Sequence, residues 1–146
     1  MSYKGIYRPS NPKKYKGDQS NIIYRSLWER KFMNYCDLNE NILEWASEEF
    51  WIPYLDPTTN RVRRYFPDFF IKYKDKDSNI RRSVIEVKPM RETLQPKATK
   101  GKSRKTMINE SMTYVKNQAK WKAAREFCAD RKLEFKIMTE KELGIR

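Results

Sequence analysis

The chain has 146 residues, enough for one domain with a real core and too few for two comfortable ones. Its 32 Lys plus Arg outnumber 19 Asp plus Glu, a net charge of +13, and aromatic residues reach 14%; the aromatic share argues against disorder, and the positive excess suits a polyanion approached along its phosphates. Histidine is absent, which excludes Ser-His and Cys-His catalysis and histidine zinc sites, so any chemistry must use Asp, Glu, Lys, Arg, Tyr, Gln, Ser or Thr.

The two cysteines, Cys36 and Cys128, fall in predicted helices, form no metal-spaced pair and read as reduced core or semi-buried thiols. No apolar run approaches a membrane span, and the N-terminus lacks the apolar segment of a signal peptide, so no membrane partner and an intracellular place are expected.

Residues 1–20 carry Lys4, Arg8, Lys13, Lys14 and Lys16 with no acid before Asp18, interleaved with Tyr3, Tyr7 and Tyr15, while Pro9, Pro12, Gly5 and Gly17 forbid a continuous helix. The segment is expected to be an extended basic arm in front of a single domain over 21–146, either a strap on phosphates with tyrosines stacking on bases or a solubilising tail. Ser26-Leu27-Trp28-Glu29 is a capping box, and Trp28, Phe32 and Tyr35 share one face, predicting a helix from Ser26 to about Leu38. Ile42 to Tyr54 reads as a strand pair or one bent strand, with Pro53 at an edge and Glu48 an outside candidate for a ligand. After the turn Asp56 to Asn60, Arg61, Arg63 and Arg64 lead towards the most informative stretch.

That stretch, Tyr65 to Pro89, predicts two strands, Tyr65 to Tyr73 and Ile80 to Lys88, joined by a polar turn. Asp68 interrupts the first directly after Pro67, and period-two geometry sends Glu86 and Lys88 to one face of the second while Ile85 and Val87 go to the other. As neighbours in one sheet the strands would bring Asp68 and Glu86 together, and two close carboxylates repel unless a cation lies between them. A hard divalent ion, Mg²⁺, suits such a pair, with substrate phosphate oxygens and water completing the shell and Lys88 orienting that water or neutralising charge on phosphorus. The plain alternative is an edge hairpin with a solvated salt bridge.

Met90 to Lys105 is expected to be a long basic loop, with Lys97, Lys100, Lys102, Arg104 and Lys105 either clamping DNA or disordered. A helix follows from about Thr106 to Lys132, its core stripe read as Ile108, Met112, Val115, Ala119, Ala123 and Phe127. Gln118 and Lys122 lie on a neighbouring row. Leu133, Phe135 and Ile137 alternate as a last strand, and Thr139 to Glu142 caps a final turn.

Pro67-Asp68 followed by Glu86-Val87-Lys88 resembles the active-site signature of the PD-(D/E)XK nuclease superfamily. Acidic-x-Lys alone is weak, because the chain holds four copies, at Glu29, Glu86, Asp130 and Glu134; only that at Glu86 ends an apolar strand preceded by Pro-Asp. The resemblance implies an α/β, restriction-endonuclease-like αβββαβ core, a mixed four-stranded sheet flanked by helices. It implies Asp68, Glu86 and the Val87 carbonyl as ligands of one or two Mg²⁺, with Mn²⁺ able to substitute. The run SLWERKF is similar to the first helix of TnsA-like nucleases, which gives Glu29 a duty near the metal besides its cap. Gln118 and Lys122 would be accessory residues, against the reading of a solvated helix flank. Lys13, Lys14, Arg63, Arg64 and the loop cations would contact DNA.

Size, arm and layout further resemble the head-completion nucleases of large contractile-tailed bacteriophages. That family implies a virally encoded nuclease, endo- or exonucleolytic, in the cytoplasm of the infected host or on the virion, with head and neck proteins as partners. The rival readings are a non-catalytic DNA-binding head or neck protein, and a transposon-end nuclease, restriction enzyme or junction resolvase.

Overall fold

The computed structural model describes residues 4–144, so Tyr3 lies outside the described residues. Four strands form the central sheet: β3 (Ile42–Ser47), β6 (Phe69–Lys74), β7 (Ile80–Val87) and β8 (Glu134–Met138). Their order is β3-β6-β7-β8, with β7 and β8 parallel and the other pairs antiparallel, the mixed sheet expected. A parallel neighbour needs a crossover. Here α3 (Arg104–Asp130) supplies it.

One face of the sheet, through Trp45, Phe69, Ile71 and Ile85, packs on Phe32, Met33 and Cys36 of α1 (Leu27–Leu38). Ser26 starts this helix by accepting the Glu29 N–H at 3.1 Å; the Glu29 carboxylate returns to the Arg25 N–H at 3.3 Å rather than to the Ser26 N–H of a closed capping box. The other face, through Phe135 and Ile137, meets Trp121 and Ala124 of α3 together with Ile52, Tyr54 and Tyr65.

Those last three belong to a separate hairpin, β4 (Ile52–Asp56) and β5 (Arg61–Tyr65). Ile42 to Tyr54 is therefore two strands in different sheets. The expected strand Tyr65 to Tyr73 is likewise split: Tyr65 closes the hairpin, and β6 begins only at Phe69. Pro67 has no N–H for a ladder, which is why the chain can leave one sheet and enter another at Asp68. Asp56, fully buried, organises the hairpin turn by accepting the Thr58 N–H at 2.8 Å and its hydroxyl at 2.7 Å.

The N-terminal segment corrects the expectation of a free arm. Strand β1 (Gly5–Ile6) pairs with β2 (Ile23–Tyr24), and Tyr7 and Tyr15 are buried edge-on against Trp45, where neither can stack on a base. Buried Asp37 holds the segment down, accepting the Ser10 N–H at 2.7 Å and the Asn11 N–H at 3.0 Å. Gly17 (φ +154°) lies so close to Glu49 that any Cβ there would overlap its carboxylate.

Residues 90–105 are also not one loop. A short helix, α2 (Met90–Thr93), opens the stretch, and Arg104 and Lys105 already belong to α3, whose N-cap is Ser103. The buried stripe of α3 is Asn117, Trp121, Ala124 and Cys128; Ile108, Met112 and Val115 of the expected stripe are exposed. Cys36 and Cys128 are free and buried. A closing turn, α4 (Glu140–Leu143), has the complete capping box of Thr139 and Glu142.

Candidate active site

The register Phe69↔Ile85 continues, one step back on β6 and one forward on β7, to set Asp68 opposite Glu86. The side chains point to the α3 face, where the Trp121 indole N–H donates to Glu86 Oε2 at 3.3 Å. Glu86 is 4% exposed, whereas Asp68 keeps an open edge to solvent. The Val87 N–H donates to Asp68 Oδ2 at 2.8 Å and fixes that carboxyl group.

Burial and then the Glu86 charge push the Asp68 carboxyl well above the usual carboxylate range, against the Val87 N–H, which favours ionisation. Tyr65 responds to the same pair. Burial, followed by the charges of Glu86 and Asp68, raises its phenol, and its hydroxyl is buried with no hydrogen-bond partner. Two crowded carboxyls beside an unpartnered hydroxyl form a site that calls for a cation or a proton.

Two further acids stand behind this pair. Burial raises Glu29, opposed by the Arg25 N–H and assisted by Glu48; burial also raises Glu48, opposed by Arg25 and assisted by Glu86. Glu48 pairs with the Arg25 guanidinium, and its N–H donates to the Asp68 carbonyl at 3.2 Å. Its φ of +50° is a left-handed conformation that costs a side-chain-bearing residue about 1 kcal/mol, a strain held by those two contacts. Among the described residues no three acidic or cysteine side chains converge on one point. Two carboxylates with main-chain oxygen and water make a donor set that fits Mg²⁺, and the two further acids share its electrostatic neighbourhood, Glu29 acting on Asp68 and Glu86 on Glu48.

Lys88 follows Glu86 on the same face, half-buried, its backbone anchored by an N–H bond to the Met138 carbonyl at 3.0 Å. Gln118 is half-exposed and Lys122 exposed, and neither bonds to the acidic pair. The helix residue that bonds to it is Trp121, and Lys120 lies within the field of Glu86. Lys120 sits 5.8 Å from the ring centroids of both Tyr54 and Tyr65, and its amine is pushed down by burial and by Lys88 and Lys116 while Glu86 opposes the shift. The signal for both was Trp121 itself: the largest side chain of an amphipathic helix marks its buried face, and taking it as the anchor moves the stripe onto Asn117, Ala124 and Cys128.

The expected DNA-contacting cations divide in two. Lys14 donates to the carbonyls of Asp37 at 3.1 Å and Asn39 at 2.8 Å, closing the C-terminus of α1. Arg63 pairs with buried Asp56 at 3.0 Å, and Lys102 bonds Glu110 at 2.9 Å and the Lys97 carbonyl at 3.0 Å. Lys13, Lys97, Lys100, Arg104 and Lys105 are exposed, and Arg64 lies over the Trp51 ring at 4.9 Å. Replacing an exposed cation such as Lys13 or Lys100 by Ala should weaken DNA binding at every sequence and reduce the salt slope by about 1. Lys14→Ala should leave that slope unchanged and lower stability by ~1 kcal/mol, read by urea denaturation.

A model of the TnsA-like endonuclease N-terminal family matches residues 39–140. The chain belongs to that family. This nuclease is also 38% identical over 143 residues to the head completion nuclease of Enterobacteria phage T4, covering 96% of the chain and 93% of that protein. The match to the family model takes in Asp68, Glu86 and Lys88 but begins after α1, so it does not include Glu29. The nuclease has the restriction-endonuclease-like fold and hydrolyses DNA. No helix among its described residues is long and apolar enough to cross a membrane.

Proposed function

We propose that this nuclease cuts DNA with Mg²⁺ held by Asp68, Glu86 and the Val87 carbonyl. The observation that carries the reading is the burial of one carboxyl beside another at adjoining strand ends, with Asp68 raised by burial and by the Glu86 charge. When bound, Mg²⁺ would supply Lewis-acid polarisation of the scissile phosphate and a more acidic water. The chain's own groups do the rest. The Val87 N–H and the Trp121 indole hold the two carboxylates in place, while Lys88 offers an ammonium to the attacking oxygen and the non-bridging phosphate oxygens. Glu29, tied to the Arg25 N–H, adds negative charge that favours a cation and supports it directly or through a water in its shell.

The test is cleavage of linear and circular DNA by the purified protein with Mg²⁺, with Mn²⁺ and with EDTA. Activity in the first two and none in the third is expected, and undiminished cutting in EDTA would remove the metal from the reading. Glu29→Gln should cost roughly 10- to 100-fold in rate, the usual loss for an outer-shell partner, with little change in melting temperature. A rate equal to wild type would leave Glu29 only its helix cap.

We further propose that the biological role is that in the T4 relative's name, completion of the phage head, by trimming packaged DNA so that a filled head can join its tail. Near full-length similarity to that protein supports it. Head and neck proteins would be the partners, and the infected cytoplasm or the virion the place of action. A phage lacking this gene should accumulate filled, tailless heads that the wild-type protein rescues and Asp68→Ala does not.

A further inference from the structure

A cleft of about 830 Å³ runs between the 91–102 stretch and α3, of a size that takes a drug-sized molecule. Leu94, Pro96 and Tyr114 supply an apolar and aromatic wall, and Asn117 lies at its floor. Asn117 is 4% exposed and lines the cleft, and its side-chain amide bonds to no other side chain or backbone group among the described residues. That amide is free to donate to and accept from a ligand in the cleft. Tyr114 and Asn117 are three residues apart on α3 and share a face.

The ligand's charge can also be read. Arg91 and Lys97 stand at the cleft, but Glu92 and Glu110 line it too, Glu110 being neutralised by Lys102 at 2.9 Å. An interior of mixed charge with an aromatic wall and one amide suits a flat, neutral, hydrogen-bonding group better than a phosphate. A nucleobase has that chemistry: a π-face for Tyr114 and an edge with donors and acceptors for the amide of Asn117. Position agrees. Trp121, one helical turn or about 6 Å beyond Asn117, holds Glu86, and the opposite wall begins at Arg91, a few residues past Lys88. That step corresponds to one or two nucleotides along a strand, at about 3.4 Å each in duplex.

We infer that the cleft is a base-binding subsite that takes one unpaired nucleobase of the strand being cut, one or two nucleotides from the scissile phosphate. The inference rests on the reading of Asp68 and Glu86 as the cutting centre. A base can enter only when it has left its pair, so the preferred substrate is DNA with an unpaired nucleotide beside the cut, such as a bulge, a mismatch or a frayed end, and the cost of extruding a paired base sets the preference.

Duplex DNA with a single bulged nucleotide fixes the register and tests this. In EDTA the wild-type protein should bind it roughly tenfold more tightly than the same duplex with an abasic bulge, the effect of one base stacked on an aromatic side chain. Tyr114→Ala, at a half-exposed position that tolerates truncation, should erase the difference without changing affinity for fully paired duplex, and Asn117→Leu, which keeps the volume, should reduce it. With Mg²⁺, cuts should fall at one fixed offset from the bulge. Equal affinities for the two bulges, or a difference that survives in both variants, overturns the subsite. An affinity difference lost in Tyr114→Ala without any cleavage would instead overturn the metal-dependent cutting centre and leave the subsite standing.

Discussion

Asp68→Ala is expected to lower the rate of DNA cleavage by about 10³-fold or more while changing DNA affinity little, because charge stabilisation at a phosphoryl centre contributes several kcal/mol to the transition state and the basic surface is left intact. Glu86→Gln should behave similarly. A variant of Asp68 that cuts within tenfold of wild type would remove the acidic pair from the chemistry. The metal-free protein carries a second signature of the pair. Folded, Asp68 keeps its proton to a higher pH than in the unfolded chain, chiefly through burial and then through Glu86. Between the ordinary carboxyl range and that raised value the folded state binds more protons than the unfolded one, so stability falls as pH rises through the window. In EDTA at neutral pH, Asp68→Asn should therefore melt above wild type, and the gap should close as the pH is lowered below about 4, where both side chains are uncharged. Excess Mg²⁺ should raise the melting temperature of wild type and leave Asp68→Asn nearly unmoved. Melting curves that coincide in EDTA across the pH range would contradict the crowding of the two carboxyls.

Asp37→Ala should be the most damaging substitution away from the site. Its carboxylate is 1% exposed and accepts the backbone N–H groups of Ser10 and Asn11, and Tyr7 Oη lies 3.5 Å from it. Hydrogen bonds to a charged acceptor are worth ~1.5–3 kcal/mol each, so losing two should cost about 3 kcal/mol or more and release the segment that buries Tyr7 and Tyr15. Urea denaturation gives the magnitude, and amide exchange at Ser10 and Asn11 tells whether the loss is local. An Asp37→Ala protein as stable as wild type, with those amides still protected, would mean that the aromatic contacts with Trp45 alone hold the segment down. Asn at position 37 keeps one acceptor oxygen and should recover part of the loss.

These two cases mark where local pattern ends. Pro67-Asp68 and Glu86-x-Lys88 were legible because strand alternation is a local property: an acid intruding on an apolar strand is visible in the sequence, and so is the polar turn that folds one strand back on the next. The first helix was legible for the same reason, its cap and its apolar spacing lying within a few residues of each other. The N-terminal segment was not. Its lysines and tyrosines look alike whether free or docked, and what docks them is a single buried aspartate 26 residues further on from Asn11, a distance no periodicity spans. The intramolecular partners of Lys14, Arg63 and Lys102 were hidden by the same ambiguity, since a positive charge in sequence does not say whether a carbonyl, a buried carboxylate or a phosphate will meet it. The convergence of Asp68 and Glu86 at facing strand ends and the fold class were thus written in the order of residues, because backbone geometry alone sets which side chains share a face. Which helix face meets them, bringing the Trp121 indole onto Glu86, was decided only in three dimensions, because the phase of a helix against a sheet depends on how the largest side chain packs and not on spacing within the helix itself.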